Sequence, residues 1–284
     1  MNKNQKFNIC LVAPDNYVHS LAFLELGELI HYSLKELGLQ TKIAFNNIES
    51  DQKNILIGCH LLNPSLISQL PRNTIILNTE QIYKDDTPWN QTIFDWAAMF
   101  DVWDYSIKNI EKFNSLGINN VQHFQIGFQQ ELSRIVKAEN QDIDVLFYGS
   151  INDRRKIIID ALIKNGLKVK TLFGVYGKSR DEWISRSKIV LNHHFYHSQI
   201  FEVIRVFYLL TNSVAVMGEV NETTWIPAAY KAGICAAKYE DLIEKCMDLI
   251  NNQVKRKALQ ENALESISRH PQKLFMSELL AAKE

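Results

Sequence analysis

Cysteine is scarce and scattered: Cys10, Cys59, Cys235 and Cys246 are the only four in 284 residues. None forms a CxxC pair, so the usual zinc and redox spacings are missing and no disulfide framework is expected. Cys10 and Cys59 fall in apolar, strand-like runs, where a thiol behaves as a small buried hydrophobe. No stretch is apolar for the roughly 18 residues that a spanning helix needs. The chain passes from polar MNKNQK straight into FNICLVAP, without the apolar core of a signal peptide. A net charge of −1 argues against broad electrostatic binding of nucleic acid. Neither GxGxxG nor a Walker A loop occurs, which speaks against dehydrogenase and P-loop readings. The expectation is a cytoplasmic protein whose C-terminal helices are candidates for peripheral membrane contact.

What is present is apolar material in a regular order. Hydrophobic residues make up 46%, enough for real cores, and the length suits one large domain or two of about 120 to 150 residues. Apolar runs at 7–13, 41–45, 54–58, 74–78, 102–106 and 121–126 read as strands. Helical spacing at 20–37, from Pro64, at 89–99 and at 107–116 lies between them, with Gly38 and Gly117 as stops. Residues 129–141 are polar and read as a linker. The series then restarts, with strands at 145–148, 168–173, 188–192 and 214–217. Its helices are expected at 154–165, 180–185, 200–210, 239–251 and 255–268. Such alternation implies parallel sheets with right-handed crossovers. The expected architecture is α/β: two Rossmann-like domains, 1–128 and 142–284, facing across a cleft.

Open α/β sheets bind ligands at strand ends next to helix N-termini, so polar residues at those positions are the candidates. Arg154 and Arg155 open a helix just after the Gly149-Ser150 turn. Cations are slightly misplaced against a helix N-terminus, and a phosphate ligand would explain them; a solvated pair is the alternative. His193, His194 and His197 follow a buried strand. They suit hydrogen bonds to phosphate or sugar hydroxyls, or backbone partners, better than a metal, because no Cys or Asp completes a ligand set. Glu202 and Arg205, three apart in an apolar helix, either pair with each other or offer a carboxylate to a ribose. His60 and Glu80 also follow strands and could line a cleft or serve as caps. Trp103, Asp104 and Tyr105 border a pocket or pack in the core. The loop from Gly174 to Glu182 has glycines that allow close approach to a base or phosphate.

The segment IFEVIRVFYLLTNSVAVMGE (Ile200 to Glu219) resembles the donor-site motif of the GT-B glycosyltransferases, close to glycosyltransferase group 1 and its spore-protein-like branch. Arg205-Val206-Phe207 matches the Arg-x-Phe of that motif, and Asn212-Ser213 replaces its Cys-Gly turn. Tyr208 stands where a ribose-binding Glu is usual, so Glu202 is the substitute carboxylate, and Ala215 stands where the turn has Pro. The resemblance implies a transferase that moves a sugar from a nucleotide-sugar donor to an acceptor hydroxyl in bacterial glycan or glycolipid synthesis, without metal or other cofactor. The acceptor would be a glycan, a lipid-linked sugar or a small molecule. Gly149, Ser150, Arg154, Arg155, His193, His194, Glu202 and Arg205 would hold the donor, with the arginines neutralising the diphosphate. In the first domain the resemblance points to His19 as catalytic base, with Asp15 and Glu25 as orienting or alternative groups; His60 and Glu80, by their strand-end positions, are expected on the acceptor side. An imidazole titrating near neutral pH suits that role. The rival readings are a non-catalytic nucleotide-binding or scaffold protein, which the missing Glu favours, and a nucleotide-sugar epimerase.

Overall fold

A computed structural model describes residues 5–82, 90–196 and 198–282. Trp89 and His197, and with them the His193–His197 spacing, lie outside the described residues. The chain divides into two compact units, one of Met1–Ile126 with Gln272–Glu284, the other of Gly127–Pro271.

Unit 1 is built from the apolar runs of the first half. Its elements are β1 (Lys6–Leu11), α1 (Leu24–Glu36), β2 (Gln40–Phe45), β3 (Lys53–Ile57), β4 (Ile75–Asn78), α2 (Asn90–Met99), β5 (Asp101–Asp104), α3 (Ile107–Ser115) and β6 (Val121–His123). Each helix is amphipathic and covers the sheet: Trp96 and Ala97 of α2 and Phe113 of α3 pack with Cys10, Leu56, Ile76 and Val102 from the strands. Strands buried on both faces must be apolar throughout, which is why they read as continuous runs. The strands are all parallel, in the order β2-β1-β3-β4-β5-β6. From β1 the chain moves outward to β2 and then crosses to β3 on the other side. The strand order therefore reverses between β1 and β3, the point where open sheets form a binding crevice.

Unit 2 repeats the plan with β7 (Ile143–Tyr148), α4 (Asp153–Lys164), β8 (Val169–Leu172), α5 (Gly177–Ser185), β9 (Ser187–Asn192), α6 (Val203–Thr211), β10 (Val216–Glu219), α7 (Ala228–Lys231), β11 (Ile234–Ala237), α8 (Leu242–Asn251) and α9 (Gln253–Ser268). Its five parallel strands run β11-β10-β9-β7-β8, and the order reverses between β7 and β9. Val145, Ile189, Leu191 and Met217 pack against Ile158, Leu162, Leu242 and Leu249 of the helices.

Three features differ from the sequence expectation. The polar segment 129–141 is not a free linker: the main-chain N–H groups of Arg134 and Ile135 donate to Asn212 Oδ1, at 2.7 and 2.8 Å, and Ala138 N donates to Ser185 O. The short strand β11 and helix α7 do not appear in the sequence reading, because two four-residue elements carry too little periodicity to register. A last helix, α10 (Gln272–Ala281), starts after Pro271 and packs on α1 in unit 1. Gln272 donates to Gln125 O at 3.0 Å. The chain after 271 thus belongs with the first unit, a long-range return that local pattern does not encode. Among the described residues no helix is long and apolar enough to cross a membrane.

Candidate functional site

In unit 2 the polar residues named from the sequence gather at the C-terminal ends of β7, β9 and β10. Gly149 follows β7 at φ +130°, and a Cβ there would lie 2.9 Å from Arg205 Nη2. Only glycine lets the Arg205 guanidinium cross this turn. Asn152 then caps α4, its side chain accepting from Arg155 N at 3.0 Å.

Arg155 is 3% exposed. Its Nε and Nη2 donate to His193 O (3.1 and 2.7 Å), Nη1 to Ser150 O (2.9 Å) and Nη2 to Glu202 Oε1 (2.7 Å). The other oxygen of Glu202 lies 2.7 Å from Arg205 Nη1, which also donates to Asn192 Oδ1 at 3.2 Å. One carboxylate thus bridges two guanidiniums. Burial opposes its charge, and Arg205 and Arg155 together hold its pKa below the ordinary value. Burial likewise pushes Arg155 down, while Glu202 works the other way. Arg205 is the arginine left open here: its Nη2 and Nε have no partner among the described residues, and it lies over the Tyr148 ring at 5.1 Å.

A second pair sits beside the first. Arg154 forks onto the Glu219 carboxylate, with Nη1 2.7 Å from Oε2 and Nη2 on Oε1. Nη1 also donates to His194 O at 2.9 Å, and the guanidinium lies 4.0 Å over the Tyr239 ring. Glu219 is fully buried and accepts further bonds from His194 N and Asn221 Nδ2. These bonds outweigh burial and keep its pKa low.

His193 and His194 take part through their main chains. Both imidazoles are buried, at 0% and 1% exposure, with no hydrogen-bond partner on any ring nitrogen among the described residues. Burial, then the charge of Arg155, drives His193 down to about 3, and burial lowers His194. Both side chains are buried, where the sequence reading has them bonding either to a ligand or to backbone partners. Glu202 precedes α6 rather than lying in it, so its contact with Arg205 is made from the loop. Tyr208, in the place of the usual Glu, is 2% exposed. It donates to Asp181 Oδ2 at 2.7 Å and accepts from Arg134 Nε at 3.0 Å, and Arg180 lies 4.8 Å over its ring. Sequence reasoning passed over Glu219, although the strand-end rule that selects His60 and Glu80 selects it too.

Unit 1 holds a different cluster at its own switch point. Gly58, at φ +88° with a would-be Cβ 2.9 Å from Phe23 Cε2, turns the chain after β3 into His60. His60 Nε2 lies 3.4 Å from Glu80 Oε1, with side chains 11% and 25% exposed. Burial lowers His60 to about 4 and raises Glu80 to about 7. Beside them, burial and then Glu80 raise the Tyr17 phenol, and burial and then Glu80 raise the Cys59 thiol to about 12. His19 stands on the 3-10 turn Val18–Phe23, half-buried, its ring edge-on to Tyr17 at 5.2 Å. Asp15 is exposed. Glu25 is buried in α1.

Glu80 is held from below. Asn78 and Asn109 both donate to its main-chain carbonyl, at 3.0 and 2.9 Å, and its N–H donates to Asn78 Oδ1 at 3.2 Å. Both amides also donate to the buried Asp104, Asn78 at 2.7 Å and Asn109 at 3.1 Å, and Ser106 N adds a bond of 2.7 Å. Burial, tempered by these bonds, raises Asp104 to about 7. Trp103 and Tyr105 on either side are core residues, Trp103 stacked on Phe124. Among the described residues no group of three or more His, Cys, Asp or Glu could hold a metal ion.

No protein-family model matches the chain. Two uncharacterized proteins of Acanthamoeba polyphaga mimivirus are similar to it. One is 27% identical over 240 residues, covering 79% of this chain and 31% of the relative. The other is 26% identical over 211 residues, covering 71% and 67%. The chain thus spans under a third of the first relative's length. Among solved structures, T4 phage BGT in complex with its UDP-glucose substrate is similar at a TM-score of 0.60 and 13% identity, with 98% of this chain and 99% of that one covered. Anabaena HepE in complex with UDP and glucose gives 0.61 and 10%, with 99% of each chain covered. Sucrose-phosphate synthase from Thermosynechococcus elongatus gives 0.63 and 9%, with 98% and 99% covered. At these identities the likeness is one of fold: over almost its whole length the chain has the α/β fold of the GT-B glycosyltransferases.

Proposed function

We propose that the protein is a glycosyltransferase that moves a sugar from a nucleotide-sugar donor to an acceptor hydroxyl. The observation that carries this reading is the Arg155–Glu202–Arg205 cluster at the β7/β9 switch point, with Arg205 Nη2 uncommitted over the Gly149 turn. The two solved structures described as holding UDP or UDP-glucose share the fold around it. In this reading Arg205 meets the diphosphate, and Arg155 fixes Ser150, His193 and Glu202 around it. The part of Glu202 left exposed is the candidate ribose contact. Arg154 and Glu219 close the flank. As the sugar–phosphate bond breaks, charge grows on the leaving diphosphate, and the guanidinium and the N–H groups that open α4 stabilise it. No metal or other cofactor is invoked. Unit 1 carries the residues of the acceptor side, His60 and Glu80, and of the proton acceptor, His19 or Asp15. The acceptor is a glycan, a lipid-linked sugar or a small molecule. The bacterial glycan setting rests on the sequence resemblance alone, since the two sequence relatives described are viral.

The test is a thermal-shift screen of nucleoside diphosphates and their sugars on the wild type and on Arg205→Ala. A shift with one nucleotide that disappears in the variant supports the donor site and names the base. No shift with any nucleotide overturns it. A second reading, nucleotide binding without turnover, is favoured by the carboxylates already seated on Arg154 and Arg155. Binding with no sugar transfer to any acceptor would select it.

A further inference from the structure

We propose that Glu202 is a built-in competitor for the anion site: its carboxylate sits on Arg205 where a ligand phosphate would, and the phosphate must displace it to bind. The proposal rests on the reading of Arg205 as the phosphate-binding residue and adds how that site is regulated. Every residue it uses lies in unit 2.

Of the three clustered arginines, two are committed to the fold. Arg155 gives Nε and Nη2 to His193 O and Nη1 to Ser150 O, so each of its nitrogens is engaged with main chain before Glu202 is counted. Arg154 is forked on the buried Glu219 and also holds His194 O. Arg205 differs. Its Nη1 is shared between Glu202 Oε2 at 2.7 Å and Asn192 Oδ1 at 3.2 Å, while Nη2 and Nε bond to none of the described residues. Asn192 is fully buried, and its Nδ2 is likewise without a partner among the described residues. The cluster therefore has donors in excess of acceptors, which suits a ligand rich in anionic oxygen.

Glu202 takes part of that place. It stands just before α6, where a carboxylate ordinarily faces the helix N–H groups. Its side chain makes no such cap and instead spans Arg155 and Arg205, one oxygen on each. The main chain there is fixed. Ile200 and Phe201 are buried, the Phe201 ring is edge-on to Tyr230 at 6.2 Å, and the Glu202 carbonyl accepts from Arg205 N and Val206 N at 3.1 Å. What is left to move is the side chain, 16% exposed beside an Arg205 that is 17% exposed, so an anion can reach both. Rotation about its side-chain bonds releases Arg205, while Arg155 is kept in place by its other bonds.

Burial opposes the charge of Glu202, yet Arg205 and Arg155 hold its pKa below the ordinary value, so it meets an incoming phosphate as an anion. Binding then draws on the fraction of molecules in which Arg205 is free, and every anion is weakened by that same factor. A lone phosphate has little else to hold it. A nucleotide, with further contacts of its own, stays bound. The contact thus keeps small anions off Arg205 without closing the site to the larger ligand.

The experiment is calorimetry on the full chain with inorganic diphosphate and with UDP, using circular dichroism to show that each variant is folded. Glu202→Gln keeps an oxygen for Arg155 and removes the charge from Arg205, and it should bind diphosphate about tenfold tighter or more. Glu202→Asp keeps the charge but is one methylene too short to span both guanidiniums, and it should bind about threefold tighter or more; it decides the matter alone if Glu202→Gln does not fold. The gain should disappear when Arg205→Ala is added to Glu202→Gln. Diphosphate affinity within about twofold of the wild type in Glu202→Gln, or weaker, overturns the proposal. So does a Glu202→Asp that matches the wild type while Glu202→Gln binds tighter, since that is repulsion across space and not occupation of Arg205. A loss of UDP affinity with diphosphate unchanged overturns it too and makes Glu202 a ribose contact only. If no folded form, wild type or variant, binds diphosphate or UDP, the anion site itself is overturned.

Discussion

At the edge of unit 1 the buried groups give up charge, whereas at the edge of unit 2 they keep it. His60 falls to about 4 and Glu80 rises to about 7, so both approach neutrality where they meet. Glu202 and Glu219 are at least as deeply placed, yet both are held below the ordinary carboxylate value by arginines. The backbone setting is the same in each case: parallel strands, a reversal of order, and a left-handed or extended positive-φ glycine just past a strand, Gly58 in one and Gly149 in the other. The difference is the supply of guanidinium. Burying a carboxylate without a cation costs more than protonating it, while a bridging arginine on each oxygen reverses the balance. One edge is therefore suited to moving a proton and the other to binding an anion.

Removing the cation from unit 2 should break the contrast most. Arg155→Ala leaves Glu202 buried against Arg205 alone and strips the bonds to Ser150 O and His193 O, so urea unfolding should show a loss of about 3 to 5 kcal/mol. A loss below about 1 kcal/mol would mean that the pairing does not hold that edge together. Unit 1 should respond through pH. Glu80 is 4.5 ordinarily and about 7 in the fold, so the folded chain binds the extra proton between those values. Its contribution to stability is complete below about pH 4.5 and fades as pH rises to about 7. Glu80→Gln should remove this slope and gain on the wild type by at most about 3 kcal/mol at pH 8 relative to pH 4. Unfolding curves at the two pH values decide it; a slope equal in variant and wild type would assign the effect to Asp104, which has the same sign. The smallest expected effect is Tyr208→Phe. It leaves Asp181 and Arg134 each short of one bond and should lower the stability of unit 2 by about 1 kcal/mol, with nucleotide affinity unmoved if Tyr208 has only the structural place seen here.

The site was legible in the sequence unevenly. Strand ends were readable because strands buried on both faces are apolar, so the first polar residue after each run stands out, as His60, Glu80, Arg154 and Arg155 did. Asn78 and Asn109 were not readable. Their amides matter only because β4, β5 and α3 bring them to one carboxyl group, and nothing in local spacing marks such a meeting. His193 and His194 were legible as a strand-end loop, but the burial of their rings was not, since sequence cannot tell a strand-end ring that turns outward from one that turns in. Tyr208 signalled a departure from the resembled motif, and its buried bonds to Asp181 and Arg134 explain what fills the place of the missing carboxylate.

By itself, the sequence determined two α/β units and the strand-end positions where chemistry can sit, because the period of apolar residues is set by local geometry. Only the tertiary structure decided that Arg154 pairs with Glu219 and Arg155 with Glu202, that Glu80 meets His60, and that the last helix returns to the first unit. Those pairings join residues far apart in the chain, and their charge states depend on burial, which exists only once the fold has formed.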